Sequence, residues 1–526
     1  MSTLLARLRS GASGADAVAL RVFPPAPGAP IEWTYAQLWA HATDVGRRLT
    51  GAHALQPGQR VALAVREGAE LALLTVALLA HRLVLVPIDV DDPVERLRAV
   101  IDDTEPALVV CASELAHRRD ALRAAGAARV VDARELCGGR GGGGVSGSRA
   151  GADAALRPPP PDSGLAALDA LLAAEADGGA FPAMDDGRAV SHIFFTSGST
   201  GRPKGCVVQR AALAAYCAAH ARAHDVRPGD VVLVASAHTF DPCLGEMASA
   251  LCAGATVALA PRRELAAALG GCLARARATH VTTTPTAWRA VDPARPPASL
   301  RVVALGGEPM PLPLAASWSG QVVLLNTYGT TEACVYQAAC RVREPADARL
   351  LGEPFVGTRL FLAADDGADW RARVREGSGD EGEIWVGGAQ VGLGYAGGDA
   401  RVAAECALRF VHVDERDRAE AGGNVLYRTG DIAAATARGW VLRGRRDGQV
   451  KVRGRRLELD EIEAAIEAAA AEFVSAVGAY VNARGALVVW CVLRGGSARA
   501  ECGGDAAETA VGLSLIHISE PTRRTP

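Results

Sequence analysis

Residues Ile193 to Gly205 read IFFTSGSTGRPKG, a short apolar run followed by hydroxyls, glycines and a lysine. Glycines let backbone N–H groups approach a ligand closely, hydroxyls donate further hydrogen bonds, and a lysine adds a charge for phosphate oxygens. The order G-x-x-x-x-G-K-[ST] of a Walker A loop is absent, because Pro203 precedes Lys204 and Gly205 follows it. The stretch therefore predicts a polyphosphate-binding loop of another kind, with a polar surface hairpin as the alternative. The residues expected to bind phosphate are Thr196, Ser197, Gly198, Ser199, Thr200, Gly201 and Lys204.

The length and composition limit the class of protein. A chain of 526 residues exceeds one ordinary core, so we expect two or more domains. The net charge of −3 gives no strong attraction to nucleic acid or to an anionic membrane, so neither is expected as a partner. The 12 cysteines form no C-x-x-C pair and no cluster at metal spacing, which favours buried free thiols and a cytoplasmic location.

Hydrophobic patterning divides the chain into regions. Helical and strand-like runs alternate from residue 1 to about 440, which predicts an α/β architecture. The apolar run from Leu71 to Pro87 is interrupted by His81 and Arg82 and is short for a membrane span, so we interpret it as a buried helix followed by a buried strand. Residues 137–179 are rich in glycine and then in proline, which predicts a disordered surface insertion, with a linker between domains as the alternative.

A second, smaller domain is predicted to begin near the basic, turn-rich run from Gly444 to Val452. We therefore assign residues 1–446 to the main region and residues 447–512 to the smaller domain. In the smaller domain Leu459, Ile462, Ile466 and Phe473 recur near helical spacing after an acidic start, which indicates an amphipathic helix. Residues 513–526 differ in composition from the rest and are interpreted as a non-native tail, with an ordinary frayed terminus as the alternative.

The glycine-rich loop resembles the signature of the AMP-forming adenylating enzymes, which include nonribosomal-peptide-synthetase adenylation domains, acyl- and aryl-CoA ligases and firefly luciferase. Further stretches resemble motifs of this superfamily in the same order along the chain. They are WTYAQL (Trp33–Leu38), VPID (Val86–Asp89), LGGEPM (Leu305–Met310), NTYGTTE (Asn326–Glu332), GEIWVGGAQVGLGY (Gly382–Tyr395), YRTGD (Tyr427–Asp431) and GRRD (Gly444–Asp447). The resemblance implies a large amino-terminal region of two sheet–helix subdomains plus a small β-barrel, followed by a small, here incomplete, α+β cap.

The resemblance also implies a site for ATP and Mg²⁺. Asn326 and Tyr328 would bound the adenine pocket, and Asp431 would accept both ribose hydroxyls. Thr331 would reach the α-phosphate and Glu332 would hold Mg²⁺, since a hard cation prefers carboxylate oxygens. The other nucleotide-binding residues that the resemblance implies are Gly306, Gly307, Glu308, Thr327, Gly329, Thr330 and Arg445.

The carboxyl-terminal part departs from the superfamily's pattern. Asp447 is implied as the hinge between the domains, and Lys451 as a catalytic residue of the thioester-forming arrangement. The superfamily normally ends in a motif containing N-G-K, whose lysine acts in the adenylate-forming step, and no such run follows Glu463. We therefore expect the chain as written to bind ATP and substrate but to form the adenylate poorly. A non-catalytic nucleotide-binding remnant is one alternative.

The stretch SAHTFDPCLGE, from Ser236 to Glu246, bears on the substrate. In amino-acid-activating members an aspartate at the place of Asp241 pairs with the α-ammonium group, and fatty-acyl and aryl ligases generally lack it. The residues alone leave open that Asp241 is a helix N-cap, with Pro242 at the first helical position. By the resemblance the substrate-binding positions are Phe240, Asp241, Pro242, Gly245, Thr282, Val303, Leu305, Thr327, Val335 and Tyr336. Gly245 is expected to leave room, and the lack of a second charge in this set indicates a neutral substrate side chain, with a β-amino acid still open.

The reaction that the resemblance implies has two steps. A carboxylate attacks the α-phosphorus of ATP, giving an acyl-adenylate and pyrophosphate, and a thiol then attacks the adenylate carbonyl and releases AMP. Lys204 and the amides of the glycine-rich loop would hold the departing pyrophosphate. The leading interpretation is amino-acid adenylation with transfer to a carrier protein's phosphopantetheine thiol. The runner-up is an acyl- or aryl-CoA ligase, in which the thiol belongs to CoA.

Overall fold

The computed structural model describes residues 15–24, 28–138, 189–197, 202–364, 370–446, 449–452, 455–470, 472–481, 487–493 and 513–516. Residues 139–179 of the predicted insertion, Gly198–Gly201 of the glycine-rich loop and Asp447 lie outside this part of the chain. In chain order the strands are β1 Val18–Val22, β2 Ile31–Thr34, β3 Arg60–Ala64, β4 Val84–Pro87, β5 Leu108–Cys111, β6 Val130–Asp132, β7 Val190–Thr196, β8 Lys204–Gln209, β9 Val231–Val234, β10 Thr256–Leu259, β11 His280–Thr283, β12 Val302–Gly306, β13 Val323–Tyr328, β14 Ala338–Val342, β15 Glu353–Pro354, β16 Thr358–Ala363, β17 Glu381–Gly388, β18 Gly394–Tyr395, β19 Phe410–His412, β20 Val425–Thr436, β21 Gly439–Arg445, β22 Gln449–Val452, β23 Arg455–Glu458, β24 Val474–Val481, β25 Leu487–Leu493 and β26 Leu513–Ile516.

The helices alternate with these strands. They are α1 Tyr35–Thr50, α2 Ala69–Ala80, α3 Val94–Thr104, α4 Arg119–Ala124, α5 Ala133–Cys137, α6 Arg210–Ala223, α7 Asp241–Cys252, α8 Arg262–Ala276, α9 Pro285–Trp288, α10 Leu312–Trp318, α11 Ala400–Arg409, α12 Arg418–Ala421 and α13 Leu459–Ala469. Short 3₁₀ turns cover Ser113–Arg118, Thr331–Ala333, Pro345–Arg349 and Glu415–Asp417. Among the described helices none is both long and apolar enough to cross a membrane.

Local sequence explains several of these boundaries. A capping box starts α1, because the Gln37 backbone N–H donates to Thr34 Oγ1 (3.2 Å) and the Thr34 N–H donates to Gln37 Oε1 (2.9 Å). The interpretation of residues 71–87 as a buried helix and a buried strand is confirmed by α2 and β4, all four residues of β4 being buried. His81 caps the end of α2 by donating its N–H to the Ala77 carbonyl.

Two sheets with parallel centres form the core of the larger part of the molecule. One has the strand order β18-β8-β7-β4-β3-β5-β6, and the other has the order β15-β14-β13-β12-β11-β9-β10-β1-β2. Strands such as β5 and β9 are buried and apolar throughout, as expected when helices cover both faces of a sheet. The largest hydrophobic cluster joins Leu63 of the first sheet, Val234 of the second and Leu74 of α2. The prediction of an α/β fold with two sheet–helix subdomains is confirmed.

A third, antiparallel sheet has the order β16-β17-β20-β19, and β21 also pairs with β20. The resemblance implied a small β-barrel at this place. In the part of the chain that the structure describes, the sheet is instead open, because β16, β19 and β21 each pair with only one other strand of it. Strand β19 pairs with residues Val425–Tyr427 at the start of β20, and no pairing joins it to β16 among the described strands.

The chain divides into two compact units. The first contains residues up to Phe195 and residues Gly205–Gly444, and the second contains Thr196–Lys204 and the chain from Arg445 onward. In the second unit β22 pairs with β23, and β24, β25 and β26 form an antiparallel sheet. Residues Leu513–Ile516 of the proposed tail therefore form a strand.

The amphipathic helix predicted for the second unit is present as α13. Ile462 and Ile466 pack against Val474 and Val477 of β24, as their helical spacing predicts. Phe473 does not belong to this face: it follows the end of the helix, and 68% of its surface is exposed. The helix ends before the aromatic residue is reached, so the spacing that linked Phe473 to the other three was accidental.

Candidate active site

Predicted substrate positions from neighbouring strands of the nine-stranded sheet lie at one edge. Strands β9, β11, β12 and β13 are mutually parallel, so their carboxyl ends meet. Thr282 lies beside Ala304 in the register of β11 and β12, and Leu305 lies beside Asn326 in that of β12 and β13. Thr282, Val303, Leu305 and Thr327 are all buried. The carboxyl edge of such a sheet is the usual place for a ligand site.

The loop that follows β13, residues 329–336, folds back tightly on itself. A Cβ on Gly329 would stand 2.0 Å from the Val335 carbonyl oxygen, so only glycine fits there. Cys334 (φ 62°) and Val335 (φ 72°) adopt the left-handed region, which is unusual for residues with a side chain. The 3₁₀ turn Thr331–Ala333 lies inside this loop and presents Thr331 and Glu332. The strained backbone is therefore part of what holds these two predicted catalytic residues.

Two glutamine side chains stabilise this loop. Gln337 accepts the Thr330 N–H at 2.8 Å and donates to the Ala333 carbonyl at 2.8 Å. Gln390 donates to the carbonyls of Cys334 (3.1 Å) and Tyr336 (2.9 Å), and both glutamines are fully buried. Sequence reasoning missed both residues. Gln390 falls inside the stretch from Gly382 to Tyr395, but nothing local shows that its amide reaches a loop more than 50 residues earlier.

Glu332 is buried, and one of its carboxylate oxygens has a defined donor. The Tyr395 hydroxyl donates to Glu332 Oε1 at 3.1 Å, and the Glu332 carbonyl accepts the Gly392 N–H at 2.8 Å. Tyr395 lies on β18, the strand next to β8. A buried carboxylate oriented by a neighbouring hydroxyl is a suitable ligand for a hard divalent cation, so the residue fits the role that the sequence assigned to it.

Asp241 is buried at the start of α7. The N-cap of this helix is Phe240, which is half-buried, and Pro242 follows in the first turn, so the alternative that Asp241 is the N-cap is wrong. Among the described residues its Oδ2 atom has no hydrogen-bond partner. Burial and the charge of Glu332 raise the pKa of Asp241 to about 7, although the Thr331 hydroxyl and the Val335 N–H lower it. The group is thus a buried acid that an added cation would ionise.

The space beside Gly245 is occupied. A Cβ there would stand 2.8 Å from Cε1 of Tyr216 and 2.9 Å from Cγ2 of Val335, so a ring from α6 fills the place that the sequence left open. The direction in which a side chain at position 245 would point is therefore filled by protein, and the room for substrate expected beside Gly245 stays a prediction. Sequence reasoning could not detect Tyr216, because it comes from a different helix.

Glu246, the next residue of α7, is a second buried carboxyl that the sequence interpretation did not include. Within the described residues neither carboxyl oxygen receives a hydrogen bond of full geometry, although Thr282 and the Ala235 N–H lie close enough to act on the carboxyl group. Burial raises its pKa to about 8, while Thr282 and the Ala235 N–H lower it to a smaller extent. The only sequence signal was the glutamate itself, at the end of the stretch from Ser236 to Glu246.

The predicted ribose ligand and one predicted adenine contact meet directly. The Tyr328 hydroxyl donates to Asp431 Oδ2 at 2.6 Å, and both residues are buried. Asn326 donates its side-chain amide to the Leu350 carbonyl at 2.9 Å. Gly306 is required by close packing, because a Cβ there would lie 2.3 Å from Thr327 Oγ1.

Glu308 makes a local contact at the same sheet edge. Its Oε2 atom accepts both the N–H (3.2 Å) and the hydroxyl (2.5 Å) of Thr286 in α9. Gly307, between this residue and β12, has a φ of +81°, which favours glycine. The side chain of Glu308 is thus committed to α9, and the backbone of this segment is what it can offer to adenine.

The remaining predicted residues belong to the second unit. Thr196 is the last residue of β7, Ser197 follows it and is buried, and Lys204 is the first residue of β8. Arg445 ends β21, and Lys451 lies on β22. Their roles remain predictions.

Three buried acids lie at or near this sheet edge: Glu332 in the 3₁₀ turn, Asp241 at the start of α7, and Asp431, which is bonded to Tyr328. Such a set of acids suits a nucleotide with its metal ion and a small charged substrate. The chain belongs to the AMP-binding enzyme family, whose model matches residues 9–396. The predicted resemblance and the predicted enzyme class, an AMP-forming ligase, are confirmed by this membership.

Individual relatives show the same relationship. The chain is 31% identical over 439 residues to novobiocin biosynthesis protein H of Streptomyces niveus, and this match covers 82% of the chain and 65% of that protein. It is 28% identical over 460 residues to nonribosomal peptide synthetase 8 of Aspergillus fumigatus, covering 85% of the chain and 5% of that protein. The chain thus spans less than two thirds of the length of these relatives. Its fold matches the Vibrio cholerae adenylation domain AlmE in complex with glycyl-adenosine-5′-phosphate, with a TM-score of 0.70, 20% identity and coverage of 92% and 87%.

Proposed function

We propose that this chain is an amino-acid adenylation domain that converts an amino acid and ATP to aminoacyl-AMP and pyrophosphate. Membership of the AMP-binding enzyme family supports the reaction class. The single observation that favours an amino acid is Asp241, a buried acid at the carboxyl edge of the sheet whose Oδ2 atom has no partner among the residues that the structure describes. An uncompensated buried carboxyl is costly, and a substrate ammonium group would compensate it.

In the first step the amino-acid carboxylate oxygen bonds to the α-phosphorus of ATP, and the bond from that phosphorus to the bridging oxygen breaks. Two anions must approach each other, so the protein acts mainly by positioning and by charge neutralisation. In this proposal Thr331 contacts the α-phosphate, Asp431 accepts the ribose hydroxyls, and Lys204 with the glycine-rich loop holds the pyrophosphate. Mg²⁺, held by Glu332, would neutralise phosphate charge when bound.

In the second step a thiol sulfur bonds to the adenylate carbonyl carbon, and AMP leaves with the carboxyl oxygen. We propose a carrier-protein phosphopantetheine as the source of the thiol. One of the relatives described above is a nonribosomal peptide synthetase, in which the matched region is a small part of a long chain. Asp447 as the hinge, Lys451 as a catalytic residue of this step, the boundary at residue 446 and a cytoplasmic location remain predictions.

The experiment measures binding rather than turnover, because binding reports the preference for an amino group directly. The probes are sulfamoyl adenosines, stable analogues of acyl-adenylates, that carry alanyl, leucyl or phenylalanyl groups. Each is paired with the acyl analogue that lacks only the α-amino group. Calorimetry on the whole chain should show that at least one amino compound binds about 10–150-fold more tightly than its partner, the range expected for a charged hydrogen bond of about 1.5–3 kcal/mol.

Asp241→Asn should remove this preference while leaving the affinity for the des-amino compounds nearly unchanged. Asp230→Asn is the matched control, since Asp230 is a buried aspartate just before the amino end of β9 that pairs with Arg301. Tighter binding of des-amino compounds by the unchanged chain would favour the acyl- or aryl-CoA ligase. Failure to bind any adenylate analogue would favour the non-catalytic remnant.

A further inference from the structure

The turn that carries Asp431 is an irregularity in the pairing of β17 with β20. Glu383 is opposite Ile432, and Trp385 is opposite Arg428. Between these two pairs β17 contributes one residue, Ile384, and β20 contributes Thr429, Gly430 and Asp431. The additional residues of β20 cannot follow the regular ladder, so they bulge from it. Gly430, with a φ of +77°, supplies the left-handed backbone at the centre of this bulge.

The bulge has its own set of hydrogen bonds. The Gly430 N–H donates to Glu383 Oε1 at 3.1 Å. The Thr429 hydroxyl donates to the Ile384 carbonyl at 2.7 Å, and the same hydroxyl oxygen accepts the Asp431 N–H at 2.9 Å. Side chains thus replace the backbone hydrogen bonds between strands that are lost at the bulge. The Glu383 carboxylate accepts the N–H of Gly430, the residue at the centre of the bulge.

Glu383 is a buried charge with one well-placed counter-charge. Its side chain is 1% exposed, and Oε2 accepts from Nη2 of Arg428 at 2.9 Å. The Arg428 guanidinium lies over the ring of Trp385, 5.0 Å from its centroid. A hydrogen bond to an ionised acceptor is stronger than a neutral one, so the bulge is held by a charge-assisted contact.

From these contacts we propose that Glu383 is a positioning residue for ribose recognition. It holds the 429–431 bulge so that the Asp431 carboxylate, already bonded to Tyr328, is oriented toward the two ribose hydroxyls. Arg428 acts in turn by holding the Glu383 side chain in place through its ion pair. The inference rests on the proposed function, because it requires Asp431 to bind ribose. Without Glu383 the buried Gly430 N–H loses its acceptor, and the bulge relaxes toward a geometry that satisfies it.

The test compares the binding of ATP, 2′-deoxy-ATP and 3′-deoxy-ATP, each with Mg²⁺, to the whole chain by calorimetry. The unchanged chain should lose about 10-fold or more in affinity when either hydroxyl is removed, as expected for hydrogen bonds to a carboxylate. Glu383→Ala should weaken the binding of ATP, which donates two ribose hydroxyls to Asp431, by a larger factor than the binding of either deoxy nucleotide, which keeps one. The discrimination between ATP and the deoxy nucleotides therefore shrinks toward 1-fold.

Glu383→Gln is the second variant, because its amide oxygen can still accept the Gly430 N–H while its neutral side chain pairs less well with Arg428. Its discrimination should lie between those of the other two proteins. Glu381→Gln is the matched control: Glu381 lies on the same strand, is exposed and pairs with Arg443 at 3.3 Å. It should keep full discrimination.

Two results would overturn the inference. In the first, Glu383→Ala weakens all three nucleotides equally, which indicates a general structural role. In the second, discrimination persists undiminished in a folded Glu383→Gln protein. If the unchanged chain itself does not distinguish ATP from the deoxy nucleotides, the assignment of Asp431 in the proposed function fails, and the inference fails with it.

Discussion

Tyr328 and Asp431 connect two sheets of the first unit through a single 2.6 Å hydrogen bond from the tyrosine hydroxyl to Oδ2. Tyr328 ends β13 of the nine-stranded sheet, and Asp431 lies in the bulge of β20. Because both residues are buried, the contact fixes the carboxylate relative to the sheet edge that carries the predicted adenine and substrate positions. In the proposed function, in which Asp431 binds ribose, nucleotide recognition therefore depends on how these two sheets are held together.

Replacing Tyr328 with Phe tests this connection. The ring and its stacking face remain, but the donor to Asp431 is lost, so the free energy of unfolding should fall by about 0.5–1.5 kcal/mol and ATP should bind more weakly. Urea denaturation and calorimetry provide the two measurements. Tyr480→Phe, at a half-exposed position of the second unit, should change neither quantity. Unchanged ATP affinity in the Tyr328 variant would contradict the prediction.

The tight packing around Gly245 predicts that Gly245→Ala destabilises the protein. The new methyl group would stand 2.8 Å from the Tyr216 ring, and such overpacking costs about 1–3 kcal/mol. Thermal or urea denaturation measures the loss, which Tyr216→Leu in the same chain should partly reverse. Gly270→Ala in α8 is the control, because its nearest neighbour would be 3.6 Å away. A Gly245 variant as stable as the original would mean that the ring moves away without cost.

The raised pKa of Glu246 predicts that the stability of the protein depends on pH. Its pKa in the folded protein is about 8, above the ordinary value of 4.5, so folding favours the protonated form. The stabilisation that protonated Glu246 contributes to the folded protein is therefore fully present below pH 4.5 and is lost as the pH rises through 8. Urea denaturation between pH 5 and 9 should show a smaller fall in stability for Glu246→Gln than for the unchanged chain. Glu95→Gln, at an exposed position in α3, should leave the fall as it was; identical pH profiles for all three proteins would refute the assignment.

The contact from Tyr395 to Glu332 predicts an effect on metal affinity. In Tyr395→Phe the carboxylate loses a donor that orients it, and groups of this kind typically change metal affinity about 10–100-fold. Titrating Mg²⁺ against ATP binding measures the effect. AMP binding without metal should stay the same in the variant and so serves as an internal control. An equal loss for AMP would show that Tyr395 supports the fold of the site rather than the metal ligand.

Local patterns predicted the elements that depend on neighbours in the sequence. The apolar run from Leu71 to Pro87 was predicted as a buried helix followed by a buried strand, and both elements are observed. Helical spacing also identified Ile462 and Ile466 correctly, but it included Phe473, which lies beyond the helix and is exposed. A periodic pattern indicates the face of a helix without showing where the helix stops.

The candidate site was predicted as a set of residues rather than as an arrangement. The ordered motifs identified Asp241, Glu332 and Asp431, which lie buried at or near one sheet edge. They did not indicate the side chains that hold these acids, such as Gln390 and Glu383, since each of these comes from a distant part of the chain.

The sequence by itself determined the family, the alternation of helices and strands, and the chemistry that the motifs carry, because these properties follow from residue types and local spacing. Only the tertiary structure decided that Tyr216 fills the space beside Gly245, that the third sheet is open among the described residues, and that a bulge carries Asp431. These features depend on which strands and helices become neighbours, and burial then determines which polar groups must find partners.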